Sequence, residues 1–347
     1  MVDIARDLHV SVVTVSKVVR NHADISPQTR ERVLQRMKEL NYRPNLAART
    51  LVTGRTYSMG LVVPDLVHPF FSEVAKGLSR VLRKRGYSLI ISSSEEDPEL
   101  ERREIDQLLA RQVDALLIAS TQWTPESFRR IEEQKTPYVL IDRKFAGLRA
   151  NFVGVDDEEV GALATEHLIE RGCRRIAHIR GPQISTALGR LEGYRRALAR
   201  HGLTPLPGYL AAGKSVDDAG DSSGRQAMRQ LLQLDPKPDG VFCFNDPTAM
   251  GAMTTILEAG LRIPQDIAVV GSGNVHYSSF LRVPLSSVDQ NSAAMGERAA
   301  KLALTLVEAK NPRPRTVLLP PKLVVRASSQ RTADRGDERA PTAVVPT

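Results

Sequence analysis

At 347 residues, with 41% hydrophobic and 25% charged residues, the chain is long and apolar enough for two or three globular domains. No apolar run approaches the roughly 18 residues that span a bilayer. "MVDIARDLHV" lacks the pattern of an export signal, and Cys173 and Cys243 stand far apart with no CxxC and no ligand-spaced histidine, which excludes a disulfide framework or a zinc site and points to a reducing cytoplasm. Residues 1–55 hold ten Lys/Arg against five Asp/Glu, so +5 of the net +8 sits in a small basic head that suits a polyanion.

In chain order, "VDIARDL" places Ile4, Ala5 and Leu8 at helical spacing, which predicts a helix over about 3–8. The next stretch, "LHVSVVTVSKVVRN", is ambiguous. Seven of its fourteen residues are β-branched, which favours a strand. Ser11 nevertheless stands at a helix N-cap position, and Val15, Val18 and Val19 can pack inward at helical spacing, leaving Val12 and Val13 outside. Tertiary burial outweighs a few tenths of a kcal/mol of propensity per residue, so a helix over about 12–20 is predicted after a short "HVS" turn. A third helix over about 27–40 starts at Ser26 as N-cap with Pro27 first, carries Val33, Met37 and Leu40 inward, and stops before Pro44. Helix, tight turn and second helix make a helix-turn-helix, whose second helix enters the major groove of DNA. "LAARTL" can form a further short helix capped by Asn45, and "VTGRT" reads as a linker.

From residue 58 the pattern changes. "MGLVVP", "SLIISS", "DALLIAS", "PYVLID", "RIAHIRG", "GVFCFND" and "IAVVGS" read as buried strands. Helices such as "PFFSEVAKGLSRVLRKRG", "ELERREIDQLLARQ", "EVGALATEHLIERG", "RLEGYRRALARHG" and "AMGAMTTILEAG" lie between them. Continuous apolar strands with helical crossovers predict doubly wound parallel sheets, and the length fits two lobes. The predicted domains are a helix-turn-helix head over 1–44, a hinge helix and linker over 45–57, a two-lobed body over 58–330, and a disordered tail over 331–347.

The ordered motifs "VSVVTVSKV", "TRERV" and "NYRPNLAAR" make the head resemble that of the lactose/galactose-repressor family of bacterial regulators. The resemblance implies that Val12, Val13 and Lys17 face bases and that Ser11, Thr14, Ser16 and Asn21 hold phosphates. Thr29, Tyr42 and Arg49 join the DNA-contacting set. Lys17 suits guanine O6/N7, and the valines suit thymine methyl groups. Leu51 matches a leucine wedge that unstacks a minor-groove step. One departure is that no Thr cap precedes "DIA": either the first helix starts uncapped, at about 1 kcal/mol, or the chain begins upstream.

The resemblance continues through "HPFFSEVAKGL", "HLIERGCRRIAHIRGP", "FNDPTAMGAM" and "PLSSVDQ", and covers residues 3–329. It implies a body like the periplasmic sugar-binding proteins, with an effector between two α/β lobes at the strand C-termini. Phe70 and Phe71 match aromatic cleft residues. Asp142, Arg143, Thr186, Arg190, Asn245, Asp246 and Gln290 supply polar groups, although Asp246 can equally cap the helix that starts near Pro247. Gly273 stands where the family commonly has an Asp that pairs with ligand hydroxyls, which leaves Asn274 or His276 to take its place, or a ligand of different chemistry.

No GxxxxGK[ST] or HExxH is present, and "GSG" lacks the further glycine of a dinucleotide fingerprint, so no enzyme, cofactor or metal is expected. A transport binding protein would need an export signal and no basic head. The expected function is a cytoplasmic transcriptional regulator, a repressor that binds a palindromic double-stranded DNA operator as a homodimer or higher oligomer under control of a sugar-like effector. The alternative is a constitutive DNA-binding regulator whose body only dimerises.

Overall fold

In the computed structural model the chain divides into two units, Met1–Thr56 and Tyr57–Thr347. The described residues are 1–19, 22–42, 50, 53–212, 221–309 and 312–331. The predicted hinge helix and the tail beyond Arg331 fall almost entirely outside them. Among the described residues no helix is long and apolar enough to cross a membrane.

The first unit is built from α1 (Val2–Asp7), α2 (Val12–Val19) and α3 (Pro27–Glu39). The valine-rich stretch is a helix. Ser11 Oγ accepts from Thr14 N at 3.0 Å, which satisfies one of the free N–H groups of its first turn. Val15 and Val18 are buried with Ile4, Ala5 and Val33, and that shared core offsets the cost of β-branched residues in a helix. His9, at φ +52, turns the chain between α1 and α2. Ser26 Oγ caps α3 by accepting from Thr29 N, and Arg36 ties α3 to Asp7 of α1 through Nε at 2.8 Å. Met1 sits at the α1 cap position without a side-chain cap bond.

The second unit holds two six-stranded sheets. One contains β1 (Ser58–Val63), β2 (Ser88–Ser93), β3 (Ala115–Ile118), β4 (Tyr138–Ile141), β5 (Asn151–Val155) and β11 (Thr316–Leu319), in the order β11-β5-β4-β3-β1-β2. The other contains β6 (Ile176–Arg180), β7 (Leu210–Ala212), β8 (Gly240–Cys243), β9 (Ala268–Ser272), β10 (Ser286–Asp289) and β12 (Lys322–Val324), in the order β12-β10-β9-β8-β6-β7. All pairings are parallel except β10 with β12. Both sheets are therefore doubly wound, with strand order reversing at β1/β3 and at β6/β8, the positions where such sheets open a crevice at their strand C-termini.

The helices of this unit are α4 (Pro69–Lys84), α5 (Pro98–Ala110), α6 (Arg129–Glu133), α7 (Asp157–Glu170), α8 (Ser185–Arg200), α9 (Ser222–Leu232), α10 (Asp246–Glu258) and α11 (Ser292–Glu308). The chain passes between lobes after β5, after β10 and between β11 and β12, since α7 packs on the second sheet and α11 on the first. All seven strands expected from sequence are present. Four of the five others are short, polar or at sheet edges, and β5 is a buried five-residue strand between β4 and β11. β10 hides its role because Ser286 and Ser287 are buried by hydrogen bonds to Arg326 O and to Asp246. Arg331, placed by sequence at the start of the tail, donates to the carbonyls of Pro264 and Gln265.

Three helix pairs meet backbone to backbone through glycine. A Cβ on Gly77 would fall 2.2 Å from Ala293 O and one on Gly296 2.1 Å from Val74 O, locking α4 to α11. Gly161 faces Arg190 O and Gly193 faces Glu158 O, locking α7 to α8, while Gly224 and Gly251 do the same for α9 and α10. No side chain fits at these crossings without parting the helices. Gly193→Ala is expected to destabilise the body by about 1–3 kcal/mol, read as a lower urea midpoint at unchanged m-value. An unaltered midpoint would show that the α7–α8 crossing yields freely.

Candidate DNA-reading helix and ligand cleft

On α2 the buried face of Val15 and Val18 leaves Val12 and Val13 exposed on the outer side, as their helical phase requires. The polar residues around them have partners within the head. Ser11 Oγ is the α2 cap and also lies 2.9 Å from Thr14 Oγ1. Lys17 Nζ pairs with Asp24 at 2.5 Å, and that ammonium holds the Asp24 carboxyl below its usual range. Thr29 Oγ1 accepts from Ser26 Oγ. Tyr42 packs half-buried against the three-helix core, and Ser16 is half-buried. Asn21, Arg49 and Leu51 lie outside the described residues.

In the body, the C-terminal ends of β1, β4, β6, β8 and β9 converge on a cleft that encloses about 890 Å³ of empty space, counting the part open to solvent. Of the residues singled out by sequence, Phe70, Phe71, Asp142, Arg143, Thr186, Arg190, Asn245 and Gln290 line it. Phe70 and Phe71 meet edge to face, with ring centroids 5.1 Å apart.

Each arginine is held differently. Arg143 makes a two-pronged pair with Glu96, at 3.0 and 2.6 Å. Arg190 Nε donates to Asp157 at 3.1 Å, its NH1 donates to Phe244 O at 2.7 Å, and its guanidinium lies 4.8 Å from the Phe244 ring centroid. Burial pushes the Asp157 carboxyl up to about 6, outweighing the favourable pull of Arg190. Burial also raises Asp142, against the opposing pull of Arg190 and Arg143.

Two sequence candidates lie elsewhere. Asp246 is not in the cleft lining, and it does not cap α10. Its buried carboxylate accepts from Ser287 Oγ (2.6 Å), Val275 N (2.8 Å) and Ser278 Oγ (3.0 Å), fastening β10 and the loop after β9. The α10 cap is Asn245, whose Oδ1 accepts from Thr248 N. Asn274 also lies outside the lining: its Nδ2 donates to Asp289 and its Oδ1 accepts from Arg326. With His276 it lines a separate polar pocket beside Glu73 and Asn291, so neither takes the place of an acid at Gly273. Gly273 does line the cleft, at φ +123, a backbone conformation that side-chain-bearing residues rarely adopt.

Sequence reasoning missed Asp65, His68, Glu96, Arg180 and Ser272, all of which line the cleft. Their one legible signal was position, at or just beyond the ends of strands. His68 caps α4 by accepting at Nδ1 from Phe70 N. Burial, with Arg143 and Arg190 nearby, lowers its pKa to about 4, so the ring is neutral. Its Nε2 lies at hydrogen-bonding distance, 3.3 Å, from Asn245 Nδ2 on the opposite lobe, and a second bridge runs from Lys144 N to Ser185 Oγ at 3.0 Å.

Five buried polar atoms in the cleft have no hydrogen-bond partner: Arg143 Nε, Arg180 Nε, Thr186 Oγ1, Ser272 Oγ and Gln290 Nε2. Among the described residues only Ser93 Oγ and His178 Nε2 share that condition elsewhere. Buried polar groups in folded proteins are normally paired, so the orphans converge where a ligand's polar atoms belong.

A family model described as bacterial regulatory proteins, lacI family, matches residues 1–45, and one described as a periplasmic binding protein-like domain matches residues 165–329. The lac repressor dimer bound to operator and an anti-inducer is similar in structure, with TM-score 0.82 and 28% identity over 95% of this chain and 98% of that one. The transcriptional regulator CelR in complex with cellobiose gives TM-score 0.72 and 31% identity over 94% and 98%. The ribose operon repressor of Escherichia coli (strain K12) is 34% identical over 95% of this chain and 99% of its own length. Likeness of that extent, from the three-helix head to the last strand of the body, settles the matter: the chain belongs to the lacI family of bacterial transcriptional repressors.

Proposed function

We propose that the protein is an effector-controlled repressor that binds a palindromic operator as a dimer through α2 and a paired hinge, with a small polar molecule held between the lobes of the body. The observation that carries the effector half is the set of five orphaned polar atoms in one cleft. A cleft between two lobes that combines aromatic rings with many polar and charged side chains suits a sugar-like molecule. The cellobiose complex of CelR and the bound ribose of a further lacI-family regulator support the same ligand class. Closing or reorienting the lobes around the ligand changes the hinge and hence DNA affinity. The operator-bound dimer of the lac repressor supports the two-fold DNA arrangement.

Three outcomes are expected. First, selection from random duplexes at moderate salt yields a two-fold symmetric site with thymine-bearing steps beside the base read by Lys17, and its affinity falls steeply with salt; recovery of no palindrome refutes the DNA reading. Leu51→Ala weakens that binding and leaves the melting temperature unchanged. Second, Asp24→Asn releases Lys17 and tightens operator binding at low salt, with the gain shrinking as salt screens the contact; unchanged affinity would mean that Lys17 does not reach the DNA. Third, Thr186→Val removes an unpartnered hydroxyl. It leaves the ligand-free protein as stable or more stable and weakens effector binding about tenfold. A loss of stability without a loss of ligand affinity would place Thr186 in the scaffold alone.

A further inference from the structure

The cleft wall contributed by the second lobe carries a cation that makes no ion pair among the described residues. Arg143 is spent on Glu96 and Arg190 on Asp157. Arg180, the last residue of β6, makes no ion pair among the described residues, and its Nε is buried without a partner. Close by in sequence, α8 begins at Ser185 with Ile184 at its cap position and no side-chain cap, so its first-turn N–H groups are not closed by a side chain. Thr186, in that turn, is 1% exposed and its Oγ1 is the second unpartnered atom on this wall. Arg180, Gly181, Pro182, Ile184 and Thr186 all line the cleft. An arginine, a hydroxyl and an uncapped helix N-terminus together form a receptor for an oxyanion.

The carboxylates present do not serve that wall. Asp142 lies at the end of β4 in the other lobe, drawn electrostatically to Arg190 and Arg143. Asp65 accepts from Val67 N. Gly273 has no side chain, and Asn274 and His276 face another pocket. Gly273 thus offers this wall no side chain, and Arg180 makes no ion pair among the described residues. Both features favour negative charge on the ligand.

We infer that the effector is an acidic polyol, a small hydroxylated molecule bearing a carboxylate or phosphate that Arg180 and the start of α8 receive, while Asp142 and Gln290 meet its hydroxyls. This inference rests on the effector reading above and narrows it. The test is isothermal titration of the full chain with matched sugars: glucose and ribose as neutral probes, gluconate and glucuronate as carboxylates, and glucose 6-phosphate and ribose 5-phosphate as phosphates.

At least one acid is expected to bind, with the neutral parent about 10- to 100-fold weaker, the range for losing a charge-assisted contact. The carboxylate and phosphate arms tell which anion it is. Arg180→Gln is expected to lower affinity for the acid by a similar factor and so to close the gap between the acid and its neutral parent, and Arg180→Lys to restore part of it. Melting curves of both variants show that they fold. Neutral sugars that bind as tightly as the acids, or an Arg180→Gln variant that binds the acid normally, would overturn the anion claim and leave the effector reading intact. Failure of every compound to bind overturns both.

Discussion

The close crossing of α7 and α8 is the constraint on which the cleft depends. Gly161 and Gly193 let the two helices touch at the level of backbone carbonyls. Asp157 sits one turn before Gly161, and Arg190 just before Gly193, so the same contact seats their ion pair. A buried pair of this kind is poor evidence of stability, because removing two charges from water costs about as much as their attraction returns. Its use here is placement. Arg190 is fixed at Nε by Asp157 and at NH1 by Phe244 O, so the guanidinium stays rigid in a cleft whose ligand must be gripped in one orientation. Were the helices set further apart by even one methyl group, arginine and aspartate would separate together.

The two lobes divide their buried polar groups in a consistent way. Away from the cleft, most such groups among the described residues are paired, Ser93 Oγ and His178 Nε2 excepted. Glu101 takes Ser120 Oγ and both the N–H and hydroxyl of Thr121, and Asp239 takes the N–H groups of Arg174 and Arg175. Asp246 takes three donors and fixes the loop that carries Gly273. These carboxylates stiffen the strand ends. Inside the cleft, the polar atoms those strand ends present are left open. Saturation outside the site and vacancy within it are two sides of one arrangement, since an orphaned donor stays aimed at a ligand only if its surroundings cannot relax to meet it.

Much of this was legible in the sequence, because hydrophobic runs and helix starts are local. Seven apolar strands, the Ser26–Pro27 start of α3 and the inward valines of α2 follow from spacing and cap chemistry. β10 escaped notice because "SSVD" is polar, and only the fold shows that its serines are buried by Arg326 O and Asp246. The helix-pair glycines escaped notice for a related reason: a glycine in a helix looks like a weakness until its partner helix is known. Among site residues, the family resemblance rather than spacing pointed to Asp142, Arg143, Thr186 and Arg190, which line the cleft, and to Asp246 and Asn274, which do not. Arg180 and Glu96 were invisible for want of any sign that one arginine would be paired and the other not.

Whether the body only holds two heads together can be weighed by energy. A cleft with no ligand to bind would be expected to heal. Each buried polar atom without a partner costs about 1–3 kcal/mol, and a domain's whole stability is only about 5–15 kcal/mol. Five such atoms gathered on one cleft are groups that water or a ligand has to meet, and single changes such as threonine to valine would remove them piece by piece. Gly273 does not argue otherwise: it holds φ +123 and its segment is fastened from below by Asp246, so the wall is intact. A walled cleft with open polar atoms, and with Arg180 unpaired among the described residues, suits a ligand better than it suits a body that only joins two heads.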